Sequence, residues 1–181
     1  MLSRWLRAFG LHWTGLAWAS LAMMLAMPAT AAGIEDEVFY FALTDRFYNA
    51  DTNNDMGGLS GDRQSTGFDP TDERYYHGGD LAGLSAKLPY LREMGITAIW
   101  ISPPFKNIPV SGNSAAYHGY WAVDYTQVDP HWGTNEELAE FVQQARKMRI
   151  KVFLDVVINH TGDVIRYQQC HNPDGTLLDG L

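Results

Sequence analysis

Three short apolar segments separated by two stretches of helical periodicity restrict the fold of this chain more than any other feature. The segments 38–43, 96–101 and 150–158 are almost wholly apolar and have the length of buried strands. Apolar residues at helical spacing within 81–91 and 138–148 predict a helix between each pair of strands. An order of strand, helix, strand, helix, strand requires parallel strands joined by right-handed crossovers.

The ends of the two helices also carry signals. Gly95 stands where a C-terminal cap of the first helix belongs, and Pro89 predicts a bend or restart within that helix. The sequence from Thr134 to Glu137 is a capping box and predicts the start of the second helix.

The connections differ in length according to what they follow. Long polar or aromatic stretches, 49–76 and 102–132, follow the first two strands, while very short connections follow the helices. This asymmetry is typical of a (β/α)₈ barrel whose site lies at the C-terminal ends of the strands. A doubly wound open sheet fits the same order, but no Gly-x-Gly-x-x-Gly follows the first strand, so dinucleotide binding has no support. Three strands cannot close a barrel, so we predict an α/β fold that represents the N-terminal part of a (β/α)₈ (TIM) barrel, its first three βα units.

The N-terminus has the pattern of a secretory signal peptide. Arg4 and Arg7 precede the apolar run 16–26, and Ala29-Thr-Ala31 resembles a cleavage site. The alternative is a retained anchor, but the apolar run is short for a bilayer, which needs about 20 residues. We therefore predict a signal peptide over 1–31, secretion to the periplasm or the medium, and no membrane attachment after cleavage. The formal charge of −8 argues against nucleic-acid binding, and the lone Cys170 has no predicted role.

Two further segments carry candidate chemistry. The Asn- and Asp-rich residues 49–55, with Gly78-Gly-Asp80 further on, offer the oxygen ligands that Ca²⁺ prefers, although a solvated turn is the commoner fate of such residues. The aromatic residues around His118 in 117–121 could stack on sugar rings or simply pack within the loop.

The end of the third predicted strand is the last candidate. Asn159 and His160 leave this apolar run where barrel sites lie, which favours a functional role. Asp155, in contrast, is predicted inside the strand, where it would anchor neighbouring loops by hydrogen bonds.

Five ordered motifs resemble the α-amylase superfamily, glycoside hydrolase family 13. The residues Asp155–His160 are similar to the first signature motif of that family, and the other matches extend over residues 36 to about 160. These matches are Thr44-Asp-Arg-Phe47, Tyr76-His-Gly-Gly-Asp-Leu81, Gly95-Ile-Thr-Ala-Ile-Trp-Ile-Ser-Pro103 and Tyr117-His-Gly-Tyr-Trp121. The resemblance implies that 32–160 is the first part of a catalytic barrel, and that 161–181 begins a domain inserted after the third strand.

The resemblance implies a calcium cofactor and a glucan-binding edge. The implied calcium ligands near the first strand are Asn49, Asp51, Asn53, Asn54, Asp55, Gly78 and Asp80, and Asn159 resembles a ligand of a separate calcium site. The residues that resemble the family's sugar-binding positions are His118, Tyr120, Trp121 and His160. Neither histidine is predicted to bind a metal, and zinc is not expected.

The implied activity is retaining hydrolysis of α-1,4-glucans such as starch and maltodextrin by a full-length, monomeric enzyme. The motifs that carry the family's nucleophile and acid are absent from this chain, and Asp124, Asp129 and Asp155 do not match them. This 181-residue chain is therefore expected to be inactive alone. The alternatives are a cyclodextrin glucanotransferase-type transglycosylase and a non-catalytic amylase-like binding ectodomain.

Overall fold

The computed structural model describes residues 33–164 and Leu178. The predicted signal peptide, Cys170 and most of the predicted start of an inserted domain lie outside these residues. The chain divides into two compact units, Met1–Asp36 and Glu37–Leu181. In the first, the short 3₁₀-helix Ile34–Asp36 is described; everything below concerns the second. In the described part of the chain, no helix has both the length and the apolar character needed to cross a bilayer.

Three parallel strands form the central sheet, as predicted. They are β1 (Phe39–Ala42), β2 (Ala98–Ile101) and β7 (Lys151–Leu154), and β2 lies between the other two. Parallel pairing places Phe39 beside Ala98 and Ala98 beside Lys151.

The third strand is shorter than the sequence predicts. It ends at Leu154, whereas the apolar run predicts a strand as far as residue 158. The last ladder bond runs from the Asp155 N–H to the Ile101 carbonyl (3.1 Å). Beyond Ile101 the neighbouring chain continues into Pro103 and Pro104, which have no N–H to donate, so the pairing stops there.

Four α-helices are described. Two short ones, α1 (Thr44–Phe47) and α2 (Arg63–Thr66), lie after β1, and the two crossover helices are α3 (Leu81–Glu93) and α4 (Asn135–Lys147). The predicted restart at Pro89 is wrong, because α3 continues through it as one element.

The predicted caps of both crossover helices are confirmed. At the end of α3, the Gly95 N–H bonds to the Arg92 carbonyl and the Ile96 N–H to the Leu91 carbonyl, which is the Schellman arrangement. At the start of α4, Thr134 and Glu137 form the predicted capping box.

Both crossover helices pack on one face of the sheet. Their buried side chains meet alternate residues of the strands, and the members of this core include Ala42, Leu84, Leu88, Leu91, Ile99, Ile101, Phe141 and Ala145. The other face is exposed, with Phe41 at 51% and Trp100 at 45%. The described strands are therefore buried on one face only, because no described element covers the other.

The stretch 102–132 is more ordered than a plain loop. It contains the antiparallel pairs β3 (Phe105–Asn107) with β6 (Ala122–Val128) and β4 (Val110–Ser111) with β5 (Ser114–Ala115). A second apolar cluster of Tyr75, Tyr76, Ala115, Ala116 and Trp132 joins this stretch to the connection after β1. Such short pieces escape prediction because their apolar residues do not alternate over a strand's length.

Candidate functional site

The segments that follow the three parallel strands meet at one edge of the sheet. Tyr120, from the connection after β2, donates its hydroxyl to Asp155 Oδ2 (2.7 Å), just after β7. His160 Nε2 lies 3.0 Å from the Tyr120 carbonyl oxygen. Because the carboxyl ends of parallel strands share an edge, residues 35 to 40 positions apart become neighbours here.

The aromatic segment, residues 117–121, turns tightly at Gly119. Gly119 has φ +84°, and a side chain there would overlap the Pro103 carbonyl, so the turn requires glycine. His118 Nδ1 accepts from the Tyr120 N–H (3.0 Å), and the two rings stack with centroids 5.7 Å apart. The Trp121 ring meets the His118 ring edge-on at 4.9 Å. All four predicted sugar-binding side chains are therefore gathered in one place.

The ionisation of this group is set by its surroundings. Burial lowers the pKa of His118, so its ring stays neutral to a lower pH than an ordinary histidine does. Burial, together with the Asp155 carboxylate, raises the pKa of Tyr120 to about 12, so its hydroxyl remains a donor. Tyr120 is 36% exposed, so part of the residue is open to solvent.

Asp155 lies one residue after β7 rather than inside the strand. Its bond to Tyr120 confirms that it links neighbouring connections. Tyr125, which the sequence did not single out, adds a second link by donating its hydroxyl to the carbonyls of Val157 (3.0 Å) and His160 (2.9 Å). Tyr125 lies on the antiparallel strand β6, which the sequence pattern does not predict, so no local signal pointed to this residue.

The acidic loop, residues 49–55, folds against Gly78 and Asp80. Asn49 Nδ2 donates to Asp55 Oδ1 (2.7 Å), and Gly78, at φ +89°, leaves room for both because a side chain there would overlap them. Asp80 is fully buried, and its carboxylate accepts from the backbone N–H of Asp51. Asp80 is also the N-cap of α3, where it accepts from the backbone N–H of Gly83.

The chemistry of this loop fits a cation. The side-chain oxygens of Asn49 and Asn54 are buried and have no hydrogen-bond partner. Burial raises the pKa of Asp55, and the negative charges of Asp80 and Asp51 raise it further, although the bond from Asn49 opposes this. Unpartnered buried oxygens beside carboxylates are costly unless positive charge offsets them.

Two predicted ligands stand apart from this arrangement. Asn53 is exposed and donates its side-chain amide to Asp51 Oδ1 (2.7 Å). Asn159 is exposed at the end of the third strand segment, with its oxygen 3.1 Å from His160 Nδ1. In the described part of the chain, no three His, Cys, Asp or Glu side chains are grouped so that they could hold a metal ion by themselves. Any cation at the acidic loop would therefore also need amide oxygens and the Gly78 carbonyl.

Arg46 is a further residue whose role the sequence did not indicate. Its guanidinium pairs with the buried Asp45 (2.7 Å) and lies over the Tyr117 ring at 4.1 Å. Burial raises the pKa of Asp45 to about 6, against the opposing effect of its bonds from the His77 and Gly78 N–H groups and the charge of Arg46. Arg46 thus connects the end of β1 to the aromatic segment.

Comparison with known proteins places these features in a family. The family described as "Alpha amylase, catalytic domain" matches residues 41–175. An α-amylase of Streptomyces lividans is 52% identical over 115 residues, which cover 61% of this chain and 12% of that protein. The periplasmic α-amylase of Escherichia coli (strain K12) is 42% identical over 131 residues, which cover 68% of this chain and 19% of that protein.

Solved structures agree with the sequence matches. A cyclomaltodextrin glucanotransferase with a three-domain ABC distribution, CldA, has a TM-score of 0.62 and 47% identity, covering 70% of this chain and 26% of that one. The chain thus spans a fifth or less of the two curated relatives described above. The parallel strands described here are accordingly part of a (β/α)₈ barrel, and the doubly wound alternative is excluded.

Proposed function

The chain belongs to the α-amylase catalytic-domain family, and from this premise we propose that the full-length protein hydrolyses α-1,4-linked glucans. The observation that carries the proposal is the cluster of His118, Tyr120, Trp121 and His160 at the C-terminal edge of the parallel strands. Exposed aromatic surface beside neutral hydrogen-bonding groups is suited to a polar ring with apolar C–H faces.

Each side chain of this cluster has a separate part in binding. The Tyr120 ring packs against the face of a glucose unit, and its bond to Asp155 fixes the ring's orientation. Burial favours the neutral form of His118, and because its Nδ1 accepts from the Tyr120 N–H, the hydrogen of the neutral ring is on Nε2, which can donate to a sugar hydroxyl. Trp121, whose ring meets that of His118, and His160, which faces the Tyr120 carbonyl, border the same sugar.

The chemical step is proposed to retain the anomeric configuration. Such a step needs two carboxyl groups about 5–5.5 Å apart, one as nucleophile and the other as acid. We assign neither role within the described residues. Asp155 is bonded to Tyr120, Asp124 to Thr126, and Asp129 is buried beside His131.

A calcium ion is proposed to stabilise the acidic loop. The orphaned oxygens of Asn49 and Asn54, the carboxylates of Asp51, Asp55 and Asp80, and the Gly78 carbonyl would hold it. When bound, the ion supplies positive charge that offsets the crowded carboxylates and fixes the loop. Asn53, whose side-chain amide donates to Asp51, is left out of this proposed ligand set although the resemblance implies it, and Asn159 remains a prediction for a separate site.

A transglycosylase that forms cyclic glucans is the second candidate. The 47% identity with a cyclomaltodextrin glucanotransferase of solved structure favours considering it. Hydrolysis and transfer share the first half of the reaction and differ in whether water or a sugar hydroxyl accepts the glycosyl group.

Product analysis tests both candidates. Purified full-length protein is incubated with soluble starch, and the products are separated by chromatography while NMR follows the anomeric protons. Linear α-anomeric oligosaccharides support hydrolysis, and cyclic products support the transferase. A protein that binds maltoheptaose but releases no product contradicts both enzyme proposals and favours the binding ectodomain.

Export is proposed from the N-terminal pattern. Arg4, Arg7 and the apolar run 16–26 support a secretory signal. Sequencing the N-terminus of the exported protein should find a start just after Ala31, and a retained Met1 would contradict the proposal.

A further inference from the structure

Three buried polar residues form a continuous hydrogen-bonded path beneath the aromatic segment. His131 is 3% exposed, Asp129 is 1% exposed and Asn107 is 3% exposed. None of them has a part in the proposed sugar contacts or in the acidic loop. Buried polar groups of this kind are retained at low cost only where every partner is satisfied.

One end of this hydrogen-bonded path is fixed by the connection after β1. His131 Nε2 lies 2.8 Å from the Thr66 carbonyl oxygen, which can only accept, so this nitrogen carries a hydrogen. His131 Nδ1 lies 2.7 Å from Asp129 Oδ1. The Tyr76 ring stacks on the imidazole at 4.0 Å, which holds its plane.

The other end reaches the aromatic segment. Asp129 Oδ2 accepts from the Asn107 backbone N–H (2.8 Å) and from its side-chain Nδ2 (3.3 Å). Because Nδ2 also donates to the Phe105 carbonyl, Asn107 Oδ1 faces the other way and accepts from the Trp121 N–H (2.9 Å). The path therefore runs from Thr66 to Trp121 without a gap.

A single peptide unit is consequently held from both sides. The Trp121 N–H of this unit bonds to Asn107, and its carbonyl, which belongs to Tyr120, faces His160. Since a peptide unit is planar, a rotation of this unit would move the side chains of Tyr120 and Trp121 together.

We propose that Asp129 and His131 are positioning residues that set the orientation of the Tyr120–Trp121 peptide for glucan binding, acting through Asn107. The proposal rests on the proposed function of the same site. Asp129 accepts from the Asn107 backbone N–H and, through its other oxygen, from the backbone N–H of His131 (3.0 Å), so the charge of its carboxylate determines how firmly Asn107 is held.

The test uses full-length protein labelled with 5-fluorotryptophan. The ¹⁹F resonance of Trp121 is identified by its loss in Trp121→Phe. Affinity for maltoheptaose is measured by titration calorimetry well below the melting temperature, which is recorded for each variant. Asp129→Asn keeps the shape of the side chain but places an amide group among N–H donors.

Asp129→Asn is expected to shift or broaden the Trp121 resonance and to weaken maltoheptaose binding by roughly tenfold. Asp124→Asn is the matched control, since Asp124 lies on β6, the strand that ends immediately before Asp129, and its hydrogen bonds come from the neighbouring Thr126. The control should change neither the resonance nor the affinity. A lower melting temperature with an unchanged Trp121 resonance and unchanged affinity would overturn the proposal.

Asn107→Ser provides a second route in case Asp129→Asn does not fold. It removes the acceptor of the Trp121 N–H and leaves the Asp129–His131 pair in place. The same shift of the Trp121 resonance and the same loss of affinity are expected, and an unchanged resonance contradicts the proposal. Failure of the unsubstituted protein to bind maltoheptaose would instead contradict the proposed function. The Trp121 resonance would still show whether Asp129 and Asn107 set the orientation of the Tyr120–Trp121 peptide.

Discussion

The acidic loop and the aromatic segment lie after neighbouring strands, but they satisfy their polar groups in opposite ways. In the acidic loop, the oxygens of Asn49 and Asn54 are buried without partners, beside three carboxylates. In the aromatic segment, the backbone groups of Tyr120 and Trp121 and the Tyr120 hydroxyl all have partners within the protein.

This difference indicates what each region needs from outside the chain. Unpartnered buried oxygens leave a deficit of positive charge, so a cation would contribute to the folded state itself. A segment whose polar groups are already paired, with ring surface still exposed, gains nothing from a cation. Under the proposed function, such a segment would receive a neutral ligand at little cost in ordering.

Removal of divalent cations should affect the acidic loop most strongly. Chelation is expected to lower the melting temperature of the full-length protein, and calcium at a hundred times its dissociation constant should restore about 2.7 kcal/mol of unfolding free energy. Asn54→Ala should reduce this calcium-dependent gain. Calorimetric melting curves with and without calcium measure both effects.

Asn53→Ala is the matched control for that experiment. Asn53 is exposed, and the part of its amide that meets Asp51 is the N–H group rather than the oxygen. The calcium-dependent gain should therefore be largely preserved in this variant. A melting temperature of the unsubstituted protein that does not change with the chelator would favour a solvated turn. It would also contradict the inference that the acidic loop, unlike the aromatic segment, needs a cation.

Substitution of Tyr120 should affect ligand binding rather than cation dependence. Tyr120→Ala removes the ring surface and is expected to weaken maltoheptaose binding about tenfold, or about 1.4 kcal/mol. Tyr120→Phe keeps the ring but removes the bond to Asp155, so a smaller loss is expected. Titration calorimetry measures both, and equal affinities of Tyr120→Ala and unsubstituted protein would contradict the stacking role.

The framework of the fold could be predicted because it depends on strong local signals. The apolar runs gave the three strands, Gly95 gave the end of α3, and Thr134 with Glu137 gave the start of α4. These signals lie within a few residues of the structure that they cause. The extent of the third strand could not be predicted, because its end is set by the absence of donors at Pro103 and Pro104.

The composition of the site was predictable in part for a similar reason. The site residues at the strand ends could be predicted from their position after the apolar runs and from the family resemblance. The supporting residues Arg46, Tyr125, Asp129 and His131 could not be found, because each acts on a partner at least 22 positions away or is buried by packing that no local pattern encodes.

The effect of pH should be the smallest and should distinguish the two regions further. Since burial lowers the pKa of His118, its folded form binds a proton less readily than an unfolded histidine, whose pKa is about 6.5. As the pH falls below about 6.5, the unfolded chain takes up this proton first, so stability decreases relative to His118→Gln. Maltoheptaose affinity should change less between pH 7 and 6.5 than it would if His118 kept its ordinary pKa, because burial lowers that pKa. An NMR titration of the imidazole resonance that His118→Gln lacks should give a midpoint below 6.5, and a midpoint above 6.5 would show that the aromatic segment, like the acidic loop, attracts positive charge.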